Sequence, residues 1–151
     1  MDVMKTVIQR VLEASVAIDG EVHGSIGHGY MILAGINDSD DEATVTKMAG
    51  KISRLRVFSD EAGKMNRSVL DVGGSVLSIS QFTLYADCHK GNRPSFAKAG
   101  NPDHAEKLYH FFNDSLRQCG ITVEEGIFGA DMKVSLINDG PVTIILDSEE
   151  I

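Results

Sequence analysis

Apolar and polar residues alternate from Val3 to Val11 and again from Ser15 to His23, which predicts opening strands around a turn at Asp19-Gly20. A continuously apolar run, Tyr30 to Ile36, reads as a buried strand. The period then lengthens. Val45, Met48, Ile52 and Leu55 recur at steps of three and four behind Ser39-Asp40-Asp41-Glu42, a capping box that opens an amphipathic helix of about four turns with Lys47, Lys51 and Arg54 outward. Between Arg56 and Gly74 the turn signals Asp60 to Lys64 and Asp71 to Gly74 predict loop and a short hairpin. Ser75 to Phe82 is the next strand, and Tyr85 to Gly100 is a polar connection of a length usually reserved for function. Asn101 and Pro102 supply the N-cap and first residue of a second helix, with an apolar face of Ala105, Leu108, Phe112, Leu116 and Cys119 and an end at Gly120. A short strand follows at Ile121 to Glu125, and Lys133 to Ile137 is expected to pair with Val142 to Leu146 across a turn at Asp139-Gly140-Pro141. Runs of strands broken by two isolated helices predict one α+β domain over residues 1–151, with mainly antiparallel, partly barrel-like sheets.

With 151 residues, 42% of them hydrophobic, the chain is long enough for one core and too short for two ordinary domains. Met1 to Leu12 mixes Asp2, Lys5, Gln9 and Arg10 into its apolar residues, unlike a signal peptide, and no run reaches membrane-spanning length. A cytoplasmic protein with no membrane partner is expected. Cys88 and Cys119 lack metal-ligand spacing and read as reduced thiols. The net charge of −8 argues against a nucleic-acid partner, but its distribution argues the other way. From Lys47 to Lys98 nine basic residues stand against four acidic ones, a balance of +5, which leaves −13 for the remainder. Such asymmetry can orient a protein on RNA; the alternative is a solvated surface of lysines and arginines.

Familiar catalytic signatures are missing: there is no G-x-S-x-G elbow, P-loop, H-E-x-x-H or C-x-x-C, and the five histidines lack ligand spacing. Neither a metal nor a cofactor is expected. Ser80, Gln81, Phe82 and Thr83 place polar groups where an apolar strand ends, with Ser80 and Phe82 on one face and Gln81 and Thr83 on the other. Thr83 as a nucleophile would need a base that its neighbours do not supply; the alternative is that these hydroxyls satisfy nearby backbone. Lys90-Gly91-Asn92-Arg93-Pro94-Ser95-Phe96 offers cations and a ring to a phosphate backbone or base. Phe128, between glycines in Gly126 to Met132, can stack on a base or pack with Met132 in the core. Pro141 removes a donor at the start of a strand, and a Gly-Pro bond can be cis at modest cost.

Ser80-Gln81-Phe82-Thr83-Leu84 and Asn138-Asp139-Gly140-Pro141-Val142-Thr143, with Val7 to Val11, Ile26 to Gly29, Lys64 to Asn66, Gly91 to Phe96, Phe128 to Ala130 and Leu146 to Ser148 in the same order, resemble the D-aminoacyl-tRNA deacylases over almost the whole chain. The resemblance implies a homodimer that hydrolyses the ester between a D-amino acid, or glycine, and the 3′-terminal adenosine of tRNA, with no DNA partner. It implies that Gly140-Pro141 is cis and enters the partner subunit's pocket beside Ser80, Gln81 and Phe82, where main-chain carbonyls exclude L-amino acids by a clash. Arg10 would lock that unit by hydrogen bonds to its carbonyls and mark the D-selective branch, and Phe128 and Met132 would line the adenine pocket. Backbone N–H groups around Gln81 and Phe82 would stabilise the oxyanion, with the tRNA 2′-hydroxyl helping to activate water and Thr83 as a covalent nucleophile ranking second. A non-catalytic RNA- or nucleotide-binding module is the alternative, and a purely structural dimer a third; ester hydrolysis separates the first reading from both.

Overall fold

The computed structural model describes residues 3–151, so the first two residues of the Met1 to Leu12 segment lie outside it. Strand β1 (Lys5–Ile18) runs unbroken where a break near Leu12 was expected. No glycine or proline interrupts it, and the irregularity is absorbed as a bulge that leaves Leu12 exposed between the pairs Val11–Asn138 and Glu13–Ile137. Asp19 and Gly20 then turn with positive φ (53° and 81°) into β2 (Glu21–Ile26), as the alternation predicts. Strand β3 (Gly29–Gly35) returns beside the first half of β1, so that β2 and β3 share one edge of β1 end to end.

Helix α1 (Glu42–Arg54) is capped by Asp41, whose carboxylate accepts the Thr44 N–H at 2.9 Å; the capping box starting at Ser39 does not form. Ser39 bonds Asn37 instead, and Asp40 turns inward, because its carboxylate accepts the N–H groups of Met4 (2.8 Å) and Asn37 (2.7 Å). The short hairpin expected after Arg56 is β4 (Phe58–Ser59) with β5 (Met65–Arg67). Strand β6 (Ser75–Ser80) ends two residues before the predicted limit, and Phe82–Tyr85 forms a 3-10 turn. Helix α2 (Pro102–Gln118) has Asn101 as its N-cap, as expected, and leads through Gly120 to β7 (Thr122–Glu125).

The largest departure is at the C-terminal end. Lys133 to Ile137 and Val142 to Leu146 do not form a hairpin: they are one strand, β8 (Lys133–Asp147), antiparallel to β1 along its length. Strand β1 offers both segments a partner, whereas a hairpin would give each only the other. The register moves between Gln9–Thr143 and Val11–Asn138, so Arg10 alone faces Asp139, Gly140, Pro141 and Val142, which bulge out of the ladder.

The α+β class with two helices holds, but the sheet is mixed: β6 is parallel to both β3 and β7. Each parallel pair is joined by a crossover that carries a helix, α1 for β3 to β6 and α2 for β6 to β7, the connection that parallel strands require. Gly29 permits the first parallel contact, since a Cβ there would fall 1.8 Å from the Ser75 carbonyl oxygen. The sheet curls until β2 lies against β6 and β7, which gives it two apolar faces. Ile8, Tyr30, Ile32 and Val76 face Met48, Ile52, Leu108 and Phe112 of the helices, while Val11, Val16, Met31, Leu77 and Ile79 fill the inside of the curl. Strand alternation therefore builds two cores from one sheet.

Asp40 ties the start of β1 to the entry of α1. Asp40→Ala leaves two inward N–H groups unpaired and is expected to lower unfolding free energy by about 3 kcal/mol, read as a shift in urea midpoint at constant slope.

Candidate functional site

The parallel strands β3 and β6 end together, and the chain that leaves each must travel to a helix. A cavity of about 720 Å3 opens there, as clefts do at the carboxyl ends of parallel strands. Met31, Leu33 and Ile79, from the inner face of the curl, meet Met132, Val134 and Leu136 across it. Ser80, Gln81 and Phe82 border it where β6 gives way to the 3-10 turn, Phe96 comes from the following loop, and Gly100, Pro102 and Ala105 from the start of α2. Phe128, Gly129 and Ala130 close another side, with Gly129 at φ 78°.

Because the strand stops at Ser80, the expected alternation through Thr83 does not apply. Gln81 and Thr83 still meet: the Gln81 side-chain amide donates to the Thr83 hydroxyl. An amide that donates cannot take a proton, so this contact does not activate Thr83, and Thr83 is exposed and outside the cavity lining. The Gln81 backbone N–H is engaged by the Ala34 carbonyl at 2.9 Å and is not free for an oxyanion. The N–H groups of Phe82 and Thr83, at the start of the 3-10 turn, have no hydrogen-bond partner among the described residues. Phe82 is 58% exposed and meets Phe96 edge to face, with ring centroids 5.2 Å apart.

Tyr109, which sequence reasoning missed, lies under this site. It lines the cavity, donates from its hydroxyl to the Ser78 carbonyl at 2.7 Å and packs near Phe128. Burial pushes its pKa up, so the hydroxyl stays a neutral donor. Its place at the helical spacing Ala105, Tyr109, Phe112, Leu116 is the signal that could have found it.

Arg10, Gly140 and Pro141 form a second group. The Gly140-Pro141 bond is cis, and both residues are exposed on the bulge of β8. Arg10 is almost buried behind them. Its Nε donates to the Asp139 carbonyl at 3.0 Å and its Nη1 to the Val57 carbonyl at 2.6 Å, with the Asp139 carboxylate 3.4 Å from Nε. The guanidinium thus holds the residue before the Gly-Pro unit, not the carbonyls of that unit. Within one chain, Ser80, Gln81, Phe82, Phe128 and Met132 share the cavity; Thr83, Arg10, Gly140 and Pro141 are outside its lining. Among the described residues no group of three His, Cys, Asp or Glu side chains is arranged to hold a metal, and no helix is long and apolar enough to cross a membrane.

A curled mixed sheet with two helices on one face, opening at its strand ends into an apolar cavity bordered by a hydroxyl, an amide and Phe82 with its unpaired N–H, defines a small α+β domain able to enclose a ring and polarise a carbonyl beside it. A match to the family described as D-Tyr-tRNA(Tyr) deacylase spans residues 7–147, so the chain belongs to that family and is an enzyme, a hydrolase of the D-aminoacyl-tRNA deacylase class. It is 59% identical over 147 residues to a D-aminoacyl-tRNA deacylase of Thermus aquaticus, covering 97% of each chain. A D-aminoacyl-tRNA deacylase of Bifidobacterium adolescentis is 57% identical, with 98% of this chain and 99% of that one covered. Among solved structures, one titled c-Myc DNA Unwinding Element Binding Protein superposes with a TM-score of 0.88 at 43% identity, covering 95% of this chain and 97% of that one. A probable eukaryotic D-amino acid tRNA deacylase shares the fold, with a TM-score of 0.84 at 15% identity over 95% of this chain and 98% of that one.

Arg10→Met keeps the length of the side chain but leaves the Asp139 and Val57 carbonyls without their donor. A loss of about 2–4 kcal/mol in urea unfolding is expected, which Arg10→Lys recovers only in part because a point charge cannot serve two directions at once.

Proposed function

We propose that the cavity receives the 3′-terminal adenosine of a D-aminoacyl-tRNA and that the enzyme hydrolyses the ester carried on its ribose, releasing the D-amino acid and tRNA. The observation that carries this reading is the juxtaposition of Phe128 and Met132, which can hold a base, with the unpaired N–H of Phe82 at the same cavity. The ester carbonyl then lies against Phe82 N–H, with Thr83 N–H adjacent, and charge developing on its oxygen is stabilised there. Water is the nucleophile, helped by the substrate's 2′-hydroxyl, since Thr83 accepts from an amide and has no base. Glycyl-tRNA mischarged on alanine tRNA is also a substrate, because glycine has no side chain to be refused.

Chiral selection needs rigid acceptors beside the α-carbon, and the cavity of one chain does not contain the Gly140-Pro141 bulge. The enzyme is therefore a homodimer in which the bulge of each subunit enters the cavity of the other. Its main-chain carbonyls hold the amino group and crowd the side on which an L-side chain would project. Arg10, bonded to the Asp139 carbonyl, keeps the bulge stiff. Such an enzyme serves translation quality control in the cytoplasm and does not act on DNA.

Purified protein is expected to hydrolyse D-tyrosyl-tRNA and spare L-tyrosyl-tRNA, with or without chelator; survival of both esters would leave the RNA-binding module as the better account. Phe128→Ala should raise KM about fivefold to a hundredfold, the worth of one stacked base, with kcat little changed. Sharing between subunits has its own test. Mixing a chain carrying Gly140→Val with one carrying Ala130→Trp, each inactive alone, should restore about one quarter of wild-type activity, and no recovery would place bulge and cavity in the same chain.

A further inference from the structure

Loop 86–100 carries charge that neither the fold nor the proposed chemistry uses. Asp87 and Ser95 bridge it at the base through two backbone hydrogen bonds of 2.8 and 2.9 Å, which closes residues 88–94 into an exposed excursion. Its tip is Lys90-Gly91-Asn92-Arg93, with Gly91 at φ 74°. Asp87 is the only acidic residue in the loop, and its carboxylate accepts the His89 N–H and pairs with Lys98 at 3.7 Å. Lys90 and Arg93 have no hydrogen-bond or ion-pair partner among the described residues, unlike Arg10, Arg67, Arg117 and Lys133. The excursion ends two residues before Phe96, which lines the cavity against Phe82. Three residues span at most about 10 Å, so Arg93 stands within a side-chain's reach of the cavity's edge.

Two unpaired cations on the loop that leads into an apolar cavity, on a chain of net charge −8, fit a polyanion whose uncharged end enters the cavity. We infer that the 88–94 loop is a phosphate-binding arm, with Lys90 and Arg93 holding the sugar-phosphate backbone immediately 5′ of the terminal nucleotide in the cavity. The inference rests on the reading that the cavity takes that nucleotide. Backbone contact of this kind carries no sequence information; it fixes how far the strand end enters, and so where the ester lies relative to Phe82 N–H.

The test uses the double variant Lys90→Gln/Arg93→Gln, both sites exposed, with two substrates and one binding probe. Binding of a fluorescent acceptor-stem minihelix ending in CCA should weaken about tenfold at low salt. The slope of log affinity against log salt should also fall in magnitude by about 1.4, the value for two single-strand phosphate contacts. Hydrolysis of D-tyrosyl-tRNA should lose a similar factor through KM, while hydrolysis of D-tyrosyl-adenosine, which has no phosphate, stays as in the wild type. Unchanged minihelix binding and salt slope would overturn the inference. So would an equal loss on D-tyrosyl-adenosine, which would make the loop a support for Phe96 alone. If the wild type hydrolyses neither ester but the variant still binds the minihelix more weakly with the smaller slope, the phosphate arm stands and the deacylase reading falls.

Discussion

The pairing of β1 with β8 is the constraint on which both the fold and the proposed chemistry depend. It joins the beginning of the described chain to its end along the full length of both strands, from Lys5–Asp147 to Ala17–Lys133. Backbone groups on both strands would otherwise be left unpaired, so the ladder is kept even though the two segments do not match in length. The mismatch collects at one place. Opposite Arg10 four residues must fit, and they leave the ladder as the bulge that carries Gly140 and Pro141. A buried guanidinium then replaces the missing ladder partners by donating to Asp139 and Val57. The exposed unit is thus held from behind by the same strand that organises the core.

Two sites with different demands arise from this arrangement. The cavity needs depth, which the curl provides by turning the odd residues of β3 and β6 inward beneath the rim. The bulge needs prominence and stiffness, which an edge strand with an anchored irregularity provides. They belong to separate regions of one chain. Under the proposed function a selective site uses both and is completed by a second copy, and selectivity in that reading rests on main-chain positions, which are insensitive to the identity of the D-side chain.

The proposed catalysis asks little of ionisable side chains. The cavity is lined by apolar residues, with Ser80, Gln81 and Tyr109 as its polar side chains, and Tyr109 is held neutral by burial. In the proposed reaction the stabilising groups are the N–H groups at the start of the 3-10 turn, which are fixed by the backbone and need not reorganise when charge develops on a carbonyl oxygen. The charged residues nearby, Lys90 and Arg93, stand outside the cavity, where they can attract a backbone without lowering the apolar character of the interior.

Local pattern carried much of this molecule. The period-three and period-four spacing of Val45, Met48 and Ile52, the Asn101-Pro102 start of α2 and the Asp19-Gly20 turn are decided within a few residues, and the structure agrees with them. The motif strings at Ser80 and Asn138 were legible as well, and with them the family. Tertiary structure decided what depends on partners distant in sequence. The local pattern put the cap of α1 at Ser39, whereas Asp41 caps the helix and Asp40 turns inward to the N–H groups of Met4 and Asn37, the first of them distant in sequence. Asp139-Gly140 is a sound hairpin signal, but a turn forms only if its two flanks have no better partner, and β1 was a better partner for both. The gathering of Ser80, Phe96, Tyr109 and Phe128 around one cavity, and the separation of Arg10 and Pro141 from it, likewise follow from how the sheet curls. Sequence specifies which faces are apolar; closure in three dimensions decides which of those faces meet.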